Sequence, residues 1–291
     1  MNNSNTRPMK YQNNYLNNYN MIIRKGLLQA THICFISLLF SNLLTAQKQF
    51  KVLLITETAG WHHESIDYGV IAINKLAAAH NFEVVRQQDA IKISEEGLKG
   101  INAVIFLSTT ADIFDEDEQA VFEKYIQSGK GYVGIHAASD TEYNWKWYTE
   151  LVGRMFHIHP VQQTAKLKII EHKFPGLEHF PDTLLWTDEW YEFGQDNVEG
   201  LNNLILVDEN SYNPNVTWEN RDADKNGNFT IDRVGVGTGT HPISWYHEFD
   251  GGRSFYTALG HIEKVYENQW FLDHLYGGIY YAATGKGIEN K

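Results

Sequence analysis

Apolar and polar residues along this chain change their period several times. Residues 51–57, 103–107 and 131–136 are short, mostly apolar runs, the pattern of strands covered on both faces. Between them, residues 68–80 carry Val70, Ile71, Ile73, Leu76 and Ala77, and residues 115–127 carry Val121, Phe122, Tyr125 and Ile126. That three-and-four spacing predicts two amphipathic helices, the second stopped by Gly129. Residues 82–86 predict a further strand. Strands alternating with helices imply parallel pairing through right-handed crossovers. The expected fold is a flavodoxin-like, doubly wound α/β sheet with helices on both faces.

The second half is less regular. Residues 165–171 alternate like a half-buried strand, 184–193 are aromatic and acidic, and 204–208 read as another strand. Residues 243–249 and 254–259 predict a hairpin through Asp250-Gly251-Gly252, and 270–284 a closing helix. No Pro-, Gly- or Ser-rich linker and no internal repeat interrupts this run. One continuous domain, 47–291, with an elaborated C-terminal half is expected.

The first 46 residues form a separate segment. They carry Arg7, Lys10, Arg24 and Lys25 and no acid, then an apolar run over 33–44 and small residues. This describes a secretory signal cleaved after Ala46, with Met21 as an alternative start. The run is too short and interrupted for a membrane span. Cys34, the only cysteine, lies within it, so disulfides, thiolate-bound zinc and thiol nucleophiles are excluded from the mature chain. Loss of the four cations takes the net charge from −12 to −16, which argues against nucleic acid and against stable membrane association. The destination is periplasmic or extracellular. The 8 Trp and 16 Tyr suit a cleft that stacks on sugar rings as well as an ordinary core.

Candidate chemistry collects where strands end. In open α/β sheets ligands bind outside the carboxyl ends of the strands. His136 closes the run 131–136, and His62 and His63 follow the run 51–57. His136, His159 and His261 each follow an apolar or aromatic stretch, and Glu189 sits in the aromatic-acidic one. Three imidazoles and a carboxylate fill the shell of a zinc-like divalent ion. A metal-free histidine cluster is the equal alternative. His157 and His159, two apart, would flank one face of an extended segment. Asp188 and Glu189 are neighbours, so only one is expected to enter the cleft, and Glu189 is chosen as ligand or base. Ser65 is a candidate helix N-cap. His80, His172, His179 and His274 read as structural.

Several motifs occur in one order: Gly60-Trp61-His62-His63-Glu64-Ser65-Ile66, Gly134-Ile135-His136, Gly153-Arg154-Met155-Phe156-His157-Ile158-His159-Pro160, Asp188-Glu189-Trp190-Tyr191, His241-Pro242-Ile243-Ser244-Trp245, and the stretch from Gly252 to His261. Together they resemble the ThuA-like family, named for trehalose utilisation and related in fold to class I glutamine amidotransferases. The resemblance covers about residues 49–284. It implies a role in disaccharide catabolism through 3-keto sugars and favours His63 as the inward histidine of its pair. Amidotransferases place a cysteine after the strand where this chain has His136 and Ala137, so glutaminase chemistry of that kind is excluded. The catalytic candidates are therefore His63, His136 and Glu189. Trp61, His157, Tyr191 and His241 are the candidate substrate contacts. His136, His159, His261 and Glu189 are the candidate metal ligands.

Two further patterns are weaker. Residues 222–230 resemble the front of an EF-hand calcium loop, but Arg233 stands where the bidentate Glu belongs, which favours a surface loop. Gly235, Gly237 and Gly239 precede no helix and form no phosphate cradle. The expected function is proton abstraction beside the keto group of a sugar, leading to isomerisation, epimerisation or elimination. The alternatives are a non-catalytic sugar-binding protein and a structural component of a sugar-uptake assembly.

Overall fold

A computed structural model describes residues 47–87, 93–194, 198–214 and 241–288. The leader, the calcium-like loop and the three alternating glycines lie outside the described residues.

Nine strands form one mixed sheet in the order β2-β1-β3-β4-β11-β10-β9-β6-β7. Its parallel core comprises β1 (Lys51–Ile55), β2 (Glu83–Arg86), β3 (Ala103–Leu107), β4 (Gly131–Ile135) and β11 (Gly252–Thr257). All five residues of β3 and of β4 are buried, as strands sandwiched between helical layers must be. Beyond β11 the pairing turns antiparallel through β10 (Pro242–Phe249), β9 (Asn202–Val207), β6 (Gln163–Ile169) and β7 (Thr183–Asp188). The parallel layout expected from the sequence thus holds for the first half, and the elaborated half extends the sheet with antiparallel strands. Two short strands, β5 (Phe156–Ile158) and β8 (Glu192–Phe193), pair separately.

Helices cover both faces because residues alternate along the strands. On β11, Phe255 points to α4 (Gln269–Thr284), where its ring lies so close to Gly278 that a Cβ there would clash. The next residue, Tyr256, faces the opposite layer with Tyr132 and Tyr148. That layer holds α2 (Glu116–Gln127) and α3 (Lys146–Val152), cemented by the rings of Phe106, Phe122, Tyr132 and Tyr148. The start of α2 is set by a reciprocal capping box between Asp115 and Glu118.

Helix α1 (Ile66–His80) corrects one expectation. Ser65 stands at its N-cap, but the side chain makes no capping bond. Its hydroxyl donates instead to the Gly260 carbonyl at 3.0 Å, so a long-range contact takes precedence over the local cap. Helix α3 and strand β5 have no counterpart among the expected elements. No helix among the described residues is long and apolar enough to cross a membrane.

Candidate functional site

Strand β4 delivers His136 to the rim at φ +53°, a left-handed conformation that few residues with a Cβ adopt. The sharp turn into the 3-10 segment His136–Asp140 is pinned by the Tyr256 hydroxyl, which donates to the His136 carbonyl at 2.7 Å. The imidazole is fully buried. Its Nδ1 lies 2.8 Å from the Ala258 carbonyl, so Nδ1 carries the proton and Nε2 offers a lone pair. Around Nε2 stand the Tyr191 hydroxyl at 3.0 Å, His261 Nδ1 at 3.2 Å and Glu189 Oε2 at 3.5 Å. Burial, and then the neighbouring His63, keep its pKa well below the ordinary histidine value.

Glu189 follows β7, which runs in the same sense as β11, so it leaves the sheet on the same edge. Both its oxygens are held: Oε1 by His159 Nδ1 at 3.0 Å and Oε2 by His261 Nδ1 at 3.1 Å. Burial alone would raise this carboxyl, but the hydrogen bonds from His159 and His261 outweigh it and hold Glu189 far below the usual carboxylate range. Burial disfavours a proton on His261, yet the Glu189 partner prevails and raises that histidine above its ordinary pKa.

Asp188 turns the other way. It accepts the backbone N–H groups of Glu189, Gly260 and His261 at 3.0, 3.0 and 3.2 Å. Burial pushes this carboxyl up to about 6 against the pull of those donors.

The loop after β1 supplies His63. It is 6% exposed, and its ring meets the rings of His136 and His261 edge-on at 4.8 and 5.4 Å. Its Nδ1 is buried without a hydrogen-bond partner. Burial, reinforced by His261, lowers its pKa to about 4, so the ring is neutral at pH 7. His62 is exposed and touches Thr58. Thr110 braces this loop: its hydroxyl donates to the Trp61 carbonyl at 2.9 Å and accepts from the Gly60 N–H at 3.2 Å. Trp61 itself stands 66% exposed on the rim.

His63, His136, Glu189 and His261 each present a ligand atom, and these four atoms lie within 4.8 Å of one another. The three contacts of 3.1, 3.2 and 3.5 Å among His136, Glu189 and His261 match the edge of a tetrahedron around zinc, about 3.3 Å for bonds near 2.05 Å. The unpartnered nitrogen of His63 and the carbonyl behind His136 fit the same chemistry. A cation taken up by His136 Nε2 would displace the Tyr191 hydrogen bond and the proton between His261 and Glu189. His63, Glu189 and His261 line a cavity of about 310 Å³ together with Trp61, Asp140, Phe156, His159 and Tyr191, and His136 lies buried behind them.

The sequence matches the trehalose-utilisation family, ThuA, over residues 51–282. The chain belongs to the ThuA family. Solved ThuA-like structures share its fold. One from Bacteroides uniformis is 20% identical with a TM-score of 0.63, over 82% of this chain and 93% of that one. Another, from Parabacteroides merdae, is 19% identical with a TM-score of 0.59, over 84% and 93%. A cytoplasmic protein of Salmonella typhimurium LT2 is 11% identical at a TM-score of 0.53, over 80% and 99%. Comparison with curated proteins returns no match.

This ThuA chain gathers His63, His136, His159, Glu189, Tyr191, His261 and Trp61 at one rim. It rearranges three of the expected roles. His159 is not beside the cation position; it binds the far oxygen of Glu189, and His63 stands in its place. His157 is exposed while His159, past the end of β5 at Ile158, is buried, so the two do not share a face. His241 does not line the cavity. It is buried behind it, with Nε2 donating to the Tyr191 carbonyl at 2.9 Å and Nδ1 near Tyr212 and Glu209. Asp140 and Phe156 line the cavity without having been singled out from sequence. Asp140 lies only four residues beyond His136, the signal that points to it.

Proposed function

We propose that this ThuA protein is an exported carbohydrate-catabolism enzyme that acts on a disaccharide or 3-keto sugar. The observation that carries the reading is the convergence of three imidazoles and a carboxylate within 4.8 Å at the floor of a sugar-sized hollow. In this reading His63, His136, His261 and Glu189 hold a divalent, zinc-like ion. Such an ion supplies Lewis acidity, stabilising negative charge on the oxygen of a substrate carbonyl. The chain's own residues do the rest. Ala258 fixes the tautomer of His136, His159 and Asp188 hold Glu189 and the His261 backbone, and Tyr191 and Phe156 line the hollow. Loss of a proton beside the ketone then leads to isomerisation, epimerisation or expulsion of the glycosidic oxygen.

The test pairs two measurements on the purified protein. Elemental analysis is expected to find one transition-metal ion per chain after zinc loading, and His136→Ala is expected to abolish it. Incubation with 3-keto-trehalose is expected to consume the sugar in the wild type only. Zinc binding no stronger in the wild type than in His136→Ala would remove the metal reading, and an unconsumed sugar would remove the catalytic one.

A second reading, a non-catalytic sugar-binding protein, is favoured by Trp61, a largely exposed ring on a braced loop that lines an aromatic-walled cavity. Sugar binding that survives in His136→Ala, with no turnover in either protein, would select it.

A further inference from the structure

Three of the cation-site residues, His136, Glu189 and His261, spend their ligand atoms on one another, and the unpartnered His63 Nδ1 points to the same cluster. His159 Nδ1 is committed to Glu189 and the Pro160 carbonyl, and the Tyr191 hydroxyl to His136. The lining also holds a carboxylate outside that cluster, Asp140. It closes the 3-10 segment that begins at His136, so the turn that presents the imidazole also presents the carboxylate. The Asp140 backbone carbonyl accepts the Ala111 N–H at 2.8 Å. Its Oδ1 accepts the Tyr143 hydroxyl at 2.7 Å, and that hydroxyl also lies 2.7 Å from the Phe156 carbonyl. Among the described residues nothing donates to Oδ2. One oxygen is therefore anchored and the other is available to a ligand.

We infer that Asp140 is the proton acceptor of this site, its Oδ2 taking the hydrogen from the carbon next to the ketone of a 3-keto sugar. The inference rests on the function proposed above. The sequence offers Glu189 as ligand or base, but both Glu189 oxygens are engaged and its affinity for a proton is low. Burial raises the Asp140 pKa, with the Tyr143 bond and His159 only partly offsetting it, which suits a base better. In the step, the C–H bond breaks and its electron pair forms a carbon–carbon double bond. The carbonyl pair moves onto oxygen as an enolate, and the proton rests on Asp140. Return of the proton to carbon gives exchange or an isomer. Alternatively the carbonyl re-forms, the substituent on the next carbon leaves with its electron pair, and Asp140 protonates it as an alcohol. No oxidant or reductant is consumed.

The probe is methyl 3-keto-α-glucopyranoside in D₂O with the zinc-loaded protein, followed by proton NMR of the positions beside the ketone. Wild type is expected to exchange them. Asp140→Asn is expected to slow exchange by about a hundredfold or more while the calorimetric Kd stays within about threefold. Tyr143→Phe keeps the carboxylate and removes a bond that lowers its pKa, so the acidic limb of the exchange profile is expected to move to higher pH. Exchange in Asp140→Asn within about threefold of wild type would overturn Asp140 and leave the proposed function standing, as would an unmoved limb in Tyr143→Phe. No exchange above background in the wild type would overturn both.

Discussion

The carboxylate of Asp188 accepts the backbone N–H of Gly260 at 3.0 Å, joining the end of β7 to the turn that carries His261. Ser65 grips the same residue at its carbonyl. Gly260 sits at φ +122°, and a Cβ there would fall 2.8 Å from the Tyr266 hydroxyl, so the turn needs glycine. Asp188→Asn would set an amide NH₂ against at least one of the N–H donors. The expected loss is about 2 kcal/mol of unfolding free energy and 10–100-fold in zinc affinity. Urea unfolding and a zinc competition titration measure the two. Unchanged zinc affinity would mean that Asp188 does not position His261.

Trp61 offers the opposite case, a residue whose value lies outside the fold. It is 66% exposed, and the loop under it is held by Thr110 through backbone groups that Trp61→Ala would keep. Stability should therefore change by no more than about 0.5 kcal/mol. Sugar affinity is expected to fall about tenfold, near 1.4 kcal/mol. Calorimetric titration with the 3-keto glucoside checks it, and equal affinity in the two proteins would place the sugar away from the rim.

His63 joins the four-residue cluster where the sequence expects His159, and zinc titration separates the two. His63 contributes an atom to the four-residue cluster, whereas His159 only orients Glu189 through its far oxygen. His159→Ala should weaken zinc binding 10–100-fold, the range for an outer partner, and His63→Ala should weaken it further. The reverse order would restore His159 as a ligand.

Those three cases mark how far the site was legible in the sequence. An uninterrupted apolar run reads as a buried parallel strand, and the residues just past its carboxyl end lie on the rim. That argument locates His63, His136 and, through the hairpin, His261. Alternation separates Asp188 from Glu189. Asp140 escaped because a 3-10 turn has no hydrophobic period. Helix α3 escaped because it has seven residues and no side-chain cap. The place of His241 behind Tyr191 depends on contacts about fifty residues apart, which no local pattern encodes. Ser65 carries the right local chemistry for a cap, and a bond to Gly260 overrides it.

His274 gives the last prediction, on stability and pH. It is fully buried in α4, its Nε2–H donates to Ser244 Oγ at 3.0 Å, and its Nδ1 has no hydrogen-bond partner. Burial lowers its pKa from 6.5 to about 3. The unfolded chain therefore takes up a proton below about pH 6.5 that the folded chain refuses until about pH 3. Above the upper limit the residue leaves stability independent of pH. Within the window it lowers stability by about 1.4 kcal/mol for each pH unit of acidification. His63, lowered to about 4 by burial, adds the same sign over a narrower range. His274→Gln keeps a hydrogen-bonding side chain and removes the titration, so its unfolding free energy should fall less steeply between pH 6.5 and 4 than that of the wild type. Parallel slopes in urea titrations across that range would show that His274 takes up its proton in the folded state as readily as in the unfolded chain.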